Sequence, residues 1–85
     1  MSGLFIGIDV GGTNLKSGVT DEAGLLLASA HRPLKFRGAE PFAADLAALA
    51  AEVLQAAGGT CQDVVSVGIG LPGAVSGGEG LYPTN

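Results

Sequence analysis

The sequence predicts an α/β fold built on a mixed β-sheet. Three short apolar runs separated by turn signals occupy roughly the first third of the chain, one amphipathic stretch follows, and a further apolar run comes after it. Strands joined by short connections form an antiparallel meander. A strand that is reached through a helix returns parallel to its neighbour by a right-handed crossover. We therefore expect a three-strand meander, one crossover helix and a fourth strand parallel to the first.

The strands follow from alternation and from the turn residues between them. Strand one is predicted over Leu4–Val10, strand two over residues 15–19, strand three over residues 25–32 and strand four over residues 64–71. The G-G-T-N connection after strand one predicts a tight hairpin, because glycine tolerates the positive φ that such turns use.

One helix is predicted between strands three and four. Pro41 suits the first helical turn, and Gly58-Gly59 is typical of a helix end. Apolar residues spaced four, three, four and four apart form one helical face for packing on the sheet: Phe42, Leu46, Leu49, Val53 and Ala57. The tail, residues 74–85, fits either a short hairpin or a loop.

Composition excludes several classes of protein. The chain has 85 residues, enough for one domain or part of one, and a net charge of −4 with no basic stripe, so we expect no nucleic-acid partner. The single Cys61 forms no internal disulfide, which favours a reducing, cytoplasmic setting. No apolar run approaches the roughly 18 residues of a membrane span, so we expect no membrane partner.

The hairpin residues predict an anion site. Gly11 and Gly12 expose backbone N–H groups without Cβ atoms in the way, and Thr13 and Asn14 add polar side chains. Lys16 follows closely and brings an ammonium group toward the same anion. Such donors suit a phosphate.

Asp9 predicts a metal ion at the same place. A carboxylate about 4 Å from a phosphate oxygen is repelled by roughly 4 kcal/mol at an effective dielectric of 20. A divalent cation between the two groups reverses the sign, and Mg²⁺ is commonly held by one or two carboxylates, waters and phosphates. On spacing alone, a second interpretation stays equally open, in which Asp9 only caps the turn of a glycine hairpin.

Two stretches resemble the ROK family of sugar kinases, within the actin-like ATPase superfamily. IGIDVGGTNLKSGVTDEAGLLLAS is similar to the first phosphate motif of that family. VVSVGIGLPGAVSGGEGLYPTN resembles the segment in which a strand leads to a P-G turn and then to a short hairpin. The two matches flank a helix and together cover nearly the whole chain in the family's order.

The resemblance implies a ribonuclease H-like/actin-like ATPase half-domain and an ATP-dependent kinase that phosphorylates a sugar hydroxyl, with glucose as the default. It implies that Asp9 faces Mg²⁺ and that a set of hairpin residues lines the nucleotide phosphates: Gly11, Gly12, Thr13, Asn14 and Lys16. The sugar-side contacts of the family fall on Gly73, Ala74, Thr84 and Asn85. We expect the parent protein to be a homo-oligomer with sugar and nucleotide as its small-molecule partners.

The chain also departs from the family's pattern. The catalytic aspartate of an N-D motif, the second nucleotide-binding lobe and the Cys/His zinc cluster are not found in residues 1–85, and Ser76 stands where aspartate is frequent. A phosphoryl-transfer site needs positioning groups, metal and a base together. Residues 1–85 are therefore expected to be a partial N-terminal lobe that is inactive by itself.

Other interpretations receive less support. The stretch from Gly68 to Gly73 matches G-x-G-x-x-G, but Pro72 and the absence of a following helix argue against a dinucleotide site. His31 fits a surface residue, and the basic residues Arg32, Lys35 and Arg37 fit a solvated loop or the rim of a cleft. Two alternatives for function stay open, namely the sugar-sensing lobe of a ROK-type transcriptional repressor and a non-catalytic binding module of the same fold.

Overall fold

A computed structural model describes residues 2–70 of the chain and confirms the predicted architecture. The elements follow in the order β1 (Leu4–Val10), β2 (Asn14–Thr20), β3 (Leu26–Pro33), α1 (Ala39–Ala56), a 3-10 turn (Cys61–Asp63) and β4 (Val64–Gly70). Three predictions lie outside the described residues: the end of strand four at Leu71, the tail over residues 74–85 and the sugar-side set. The sugar-side set comprises Gly73, Ala74, Thr84 and Asn85.

The four strands form one sheet in the order β3-β2-β1-β4. The pairs β1/β2 and β2/β3 are antiparallel, and β1/β4 is parallel, as the crossover rule predicts. In the β1/β2 register, Val10 lies opposite Leu15 and Asp9 lies opposite Lys16.

The core lies between α1 and one face of the sheet. Along β1, alternate residues from Leu4 to Val10 are buried, whereas Phe5, Gly7 and Asp9 are exposed on the other face. Leu15 and Val19 of β2 complete the buried sheet face. The period of two thus divides β1 into an apolar side that packs on the helix and an open side that ends at Asp9.

The predicted face of α1 packs on this sheet. Leu49 and Val53 are fully buried, and Phe42, Leu46 and Ala57 pack against the core from its margin. Leu54 is also buried, although it lies outside the predicted stripe. It fills the space near the helix end, where a Cβ on Gly59 would lie 3.0 Å from its Cδ1 atom.

The end of α1 has the geometry of a Schellman motif. Gly58 has φ +81° just after the C-cap Ala57, and its N–H donates to the carbonyl of Gln55 at 2.9 Å. The next N–H, of Gly59, donates to the carbonyl of Leu54 at 3.1 Å. The two glycines therefore stop the helix as predicted, because the first accepts a left-handed backbone and the second closes the motif.

The connection from β3 to α1 is tied to the helix by two surface ion pairs. Arg32 pairs with Glu52, and Arg37 pairs with Asp45 at 3.2 Å. The sequence left two interpretations open for these basic residues, a solvated loop or the rim of a cleft. In the structure, two of them, Arg32 and Arg37, bond to the polar side of α1. Each such exposed pair contributes about 0.2–1 kcal/mol.

A 3-10 turn that the sequence interpretation missed leads into β4. Thr60 and Asp63 form a reciprocal capping box, in which the Thr60 N–H donates to the Asp63 carboxylate at 2.8 Å. This backbone hydrogen bond holds the pKa of the Asp63 carboxyl below its ordinary value.

The helix packs mainly on β1, β2 and β3, and Val64 at the start of β4 also packs against the core. Val67 and Ile69 of β4 lie in register with Ile6 and Ile8 on the helix side of the sheet, yet both are about half exposed. Within residues 2–70, no helix is long and apolar enough to cross a membrane.

Candidate phosphate-binding site

The hairpin between β1 and β2 presents the predicted G-G-T-N residues at one end of the sheet. The N–H of Gly11 donates to the carbonyl of Asn14 at 2.8 Å and closes the turn. Both Gly12 and Thr13 are exposed at its tip. The predicted tight hairpin is therefore confirmed.

The predicted reason for the glycines is wrong, because neither has a positive φ; among the described glycines, that conformation occurs at other positions. The structure gives a steric reason for Gly11 instead, since a Cβ at this position would lie only 3.1 Å from the carbonyl oxygen of Asn14. A Cβ on Gly12 would meet nothing within 4 Å in the described structure. Neither backbone strain nor packing within the described chain thus requires glycine at position 12.

The hairpin tip carries two backbone donors that have no acceptor. No hydrogen bond from the N–H of Gly12 or of Thr13 is found to any described residue. Both residues are exposed to solvent. Adjacent N–H groups without Cβ obstruction form the kind of concave donor set that binds anions.

The side chain of Asn14 orients the hydroxyl of Thr13. The Asn14 Nδ2 donates to Thr13 Oγ1 at 3.1 Å. Because Oγ1 accepts this bond, the hydroxyl proton of Thr13 is left to donate elsewhere. One of the two N–H donors of the Asn14 amide is thus used by its neighbour, and the hydroxyl of Thr13 becomes the third donor at the tip.

Asp9 and Lys16 lie side by side at the same end of the sheet. They are opposite each other in the register of β1 and β2, both are exposed, and no ion pair joins them in the described structure. The carboxylate leans toward β4, since a Cβ on Gly70 would lie 3.9 Å from Asp9 Oδ1. Asp9 therefore does not cap the hairpin turn, because no described turn donor bonds to its carboxylate.

A shallow depression of about 630 Å³ lies on the open face of the sheet next to these two side chains. Its floor contains Gly7, Gly18 and Gly68, which lie in register across three neighbouring strands. The missing side chains leave room beside Asp9 and Lys16 for a bound molecule to approach the backbone.

The structure brings together the predicted nucleotide-side residues at one end of the sheet: Asp9, Gly11, Gly12, Thr13, Asn14 and Lys16. No group of three or more His, Cys, Asp or Glu side chains with metal-binding geometry occurs within residues 2–70, so Asp9 is a single carboxylate there. Sequence reasoning missed Leu34, whose N–H donates to the carbonyl of Thr13 at 2.9 Å. Only the pairing of strands two and three reveals this contact.

A family model described as the ROK family matches residues 5–84 of the chain. The chain belongs to the ROK family. None of the curated proteins matches this ROK chain. The family match covers the hairpin and both quoted stretches except for the final Asn85, and the predicted resemblance is confirmed.

Solved structures of ROK proteins share the fold. A ROK hexokinase from Thermus thermophilus is 33% identical with a TM-score of 0.72, over 82% of this chain and 23% of that chain. A ROK family glucokinase from Streptomyces griseus, solved in complex with glucose and AMPPNP, is 35% identical with a TM-score of 0.68, over 84% of this chain and 21% of that chain. The chain thus spans less than a quarter of the length of either kinase, and its sheet is that of the N-terminal, actin-like part of a ROK kinase.

Proposed function

We propose that residues 1–85 form the N-terminal lobe of an ATP-dependent sugar kinase, and that the β1–β2 hairpin binds the phosphates of the nucleotide. The observation that carries the proposal is the pair of unpartnered N–H groups at Gly12 and Thr13, at the same end of the sheet as the exposed Asp9. The likeness to a glucokinase solved with glucose and AMPPNP supports the same assignment.

The hairpin donors and Lys16 supply attraction for the phosphates. Hydrogen bonds from N–H and O–H groups to a charged phosphate contribute about 1.5–3 kcal/mol each. Lys16 adds one positive charge at the neighbouring register position. These groups position the nucleotide, and phosphoryl transfer depends mainly on positioning and on charge stabilisation.

Asp9 would hold a Mg²⁺ ion at the phosphate site. The carboxylate is exposed, makes no ion pair within the described residues, and lies at the same end of the sheet as the hairpin donors. A single carboxylate is sufficient, because Mg²⁺ keeps several waters and takes further oxygen ligands from substrate phosphates. When bound, the ion would neutralise charge that develops on the transferred phosphoryl group.

The remaining parts of the reaction are proposed to come from the chain beyond Asn85. They are the base that activates the sugar hydroxyl and the second nucleotide-binding lobe, so residues 1–85 alone would turn over no substrate. We propose glucose as the default sugar, Gly73, Ala74, Thr84 and Asn85 as sugar-side residues, a homo-oligomeric parent and a cytoplasmic location.

A Gly12→Ala substitution tests the phosphate site. The Cβ would project into open space in the described structure, at a φ that alanine accepts, so the fold should keep its stability or gain up to about 1 kcal/mol. In the complete chain, meaning the whole kinase to which residues 1–85 are proposed to belong, the new methyl group should obstruct the phosphates. Mg·ADP binding should then weaken by about tenfold or more. Calorimetric titration gives the affinity and urea denaturation gives the stability.

Gly24→Ala is the control, because its Cβ also meets nothing within 4 Å and it lies in the turn between β2 and β3, at the other end of β2 from the hairpin. Its φ of +86° disfavours alanine, so this variant also shows what a loss of stability alone does to the affinity. It should leave Mg·ADP affinity unchanged. Equal affinities for Gly12→Ala and the unmodified chain would contradict phosphate binding at the hairpin. Failure of the complete chain to transfer phosphate from ATP to any hexose would contradict the kinase assignment.

A further inference from the structure

We propose that Leu34 is a positioning residue for the nucleotide site, acting through its backbone N–H on the carbonyl of Thr13. The inference rests on the proposed function of the β1–β2 hairpin and adds to it a residue on a different connection of the chain. The contact is short, 2.9 Å from Leu34 N to Thr13 O, and it joins the segment after β3 to the hairpin tip.

The contact is half of an antiparallel rung. Asn14 lies opposite Pro33 in the register, so Thr13 lies opposite Leu34. In a complete hydrogen-bonded pair, the two residues exchange both N–H···O bonds. Here Leu34 donates to Thr13, and the reciprocal bond from Thr13 N–H is not made between these two described residues.

The ladder makes Leu34 the residue that supplies this bond. Hydrogen-bonded and non-hydrogen-bonded pairs alternate along antiparallel strands, so Leu34 donates to β2 and the preceding Pro33, opposite Asn14, does not. The carbonyl of Thr13 is thus held by Leu34, and the N–H of Gly11 is held by Asn14. Between these two fixed points lie the Gly12 and Thr13 N–H groups, whose direction is set by the bonds on either side.

Leu34 is itself fixed from the helix side. Its side chain packs against the buried core. The ion pairs Arg32–Glu52 and Arg37–Asp45 lie on either side of it in sequence and tie the connection to α1. We call residues 32–38 the brace. It contacts both α1 and the phosphate-binding hairpin, so the position of the hairpin depends on that of the helix.

Holding the donors in advance reduces the ordering cost of binding a nucleotide. Loss of the Leu34 N–H should then weaken nucleotide binding selectively, because the lost bond ends on the hairpin that carries the proposed phosphate donors. The selectivity for nucleotide over sugar distinguishes a positioning role from a general loss of stability.

The test compares Leu34→Pro, which removes the N–H, with Leu34→Ala, which keeps the N–H and loses only the side chain. Dissociation constants for Mg·ADP and for glucose are measured by calorimetry on the complete chain. We expect Leu34→Pro to bind Mg·ADP about tenfold more weakly than Leu34→Ala, with glucose affinities within about twofold of each other. Equal Mg·ADP affinities, or an equal loss for both ligands, would overturn the proposal.

A backbone ester at position 34 keeps the test decisive if the proline variant does not fold. Replacing Leu34 by its α-hydroxy acid removes the N–H and keeps the side chain, although it also weakens the Pro33 carbonyl as an acceptor. The same ester at Lys35 is the control, since the Lys35 N–H has no acceptor in the described structure. The exposed Cys61 permits ligation of a synthetic segment 1–60 to the rest of the chain. An ester at 34 that binds Mg·ADP as tightly as the ester at 35 would overturn the brace.

The unmodified complete chain is measured first. If it binds no Mg·ADP, the proposed function itself fails. If it binds Mg·ADP and the Leu34 variants do not differ, only the brace fails.

Discussion

An Asp9→Asn variant of the complete chain is expected to lose about 100-fold or more of its kinase turnover and to keep its fold. Asparagine preserves the size of the side chain and removes the charge. A unit charge about 4 Å from its partner is worth roughly 4 kcal/mol at an effective dielectric of 20, and a divalent ion doubles the interaction. The carboxylate is exposed and makes no hydrogen bond or ion pair within the described residues, so its loss removes no contact that stabilises the sheet.

The dependence on Mg²⁺ is the sharpest measurement for this variant. Initial rates with a hexose and ATP, recorded over a series of Mg²⁺ concentrations, should show saturation at much higher Mg²⁺ than for the unmodified chain. Glu22→Gln is the control, because it makes the same change of charge in the turn at the opposite end of β2. An Asp9→Asn enzyme with unaltered rate and Mg²⁺ dependence would show that this carboxylate binds no metal.

Leu49→Ala is expected to cost about 2–5 kcal/mol of folding free energy. Leu49 lies on the sheet-facing side of α1 and is fully buried in the core that also contains Leu15, Val19 and Val53. Its truncation leaves a cavity that the rigid sheet fills only in part. Because small domains are stable by only about 5–15 kcal/mol, the variant should unfold at markedly lower urea concentration.

Leu25→Ala makes the same chemical change at a residue that is 62% exposed. It should change the free energy of unfolding by less than about 0.5 kcal/mol. Urea titrations followed by circular dichroism compare the two variants. A Leu49→Ala midpoint equal to that of Leu25→Ala would mean that the helix does not pack on the sheet as described.

The fold was predictable because its elements carry strong local signals. Alternation along β1 separates Ile6 and Ile8 from Gly7 and Asp9, and the structure keeps this division between core and open face. The position of Asp9 on the open face, at the end of the strand that leads into the hairpin, follows from the same alternation. The clustering of the nucleotide-side residues was therefore predictable from one strand and one turn.

Other features depend on contacts that sequence spacing does not encode. The burial of Leu54 arises because the Gly58-Gly59 turn brings the chain back over the helix end.

The bond from Leu34 to Thr13 requires the exact register of β2 and β3, which shifts near Thr20. Positive φ at Gly11 and Gly12 was expected because tight hairpins use it and glycine tolerates it, but the turn closes through Asn14 without it. The T-x-x-D spacing of Thr60 and Asp63 was a readable signal for the missed turn.

The partial cover that α1 gives the sheet has a practical consequence for work with these residues alone. Val65, Val67 and Ile69 each expose half or more of their surface on β4, the strand at the margin of the described sheet. A sample of residues 1–85 purified at high concentration should accumulate soluble aggregates, which sedimentation velocity would resolve as species larger than 8.3 kDa. Polar replacement of Val67 and Ile69 would be the first step toward a well-behaved preparation for titrations.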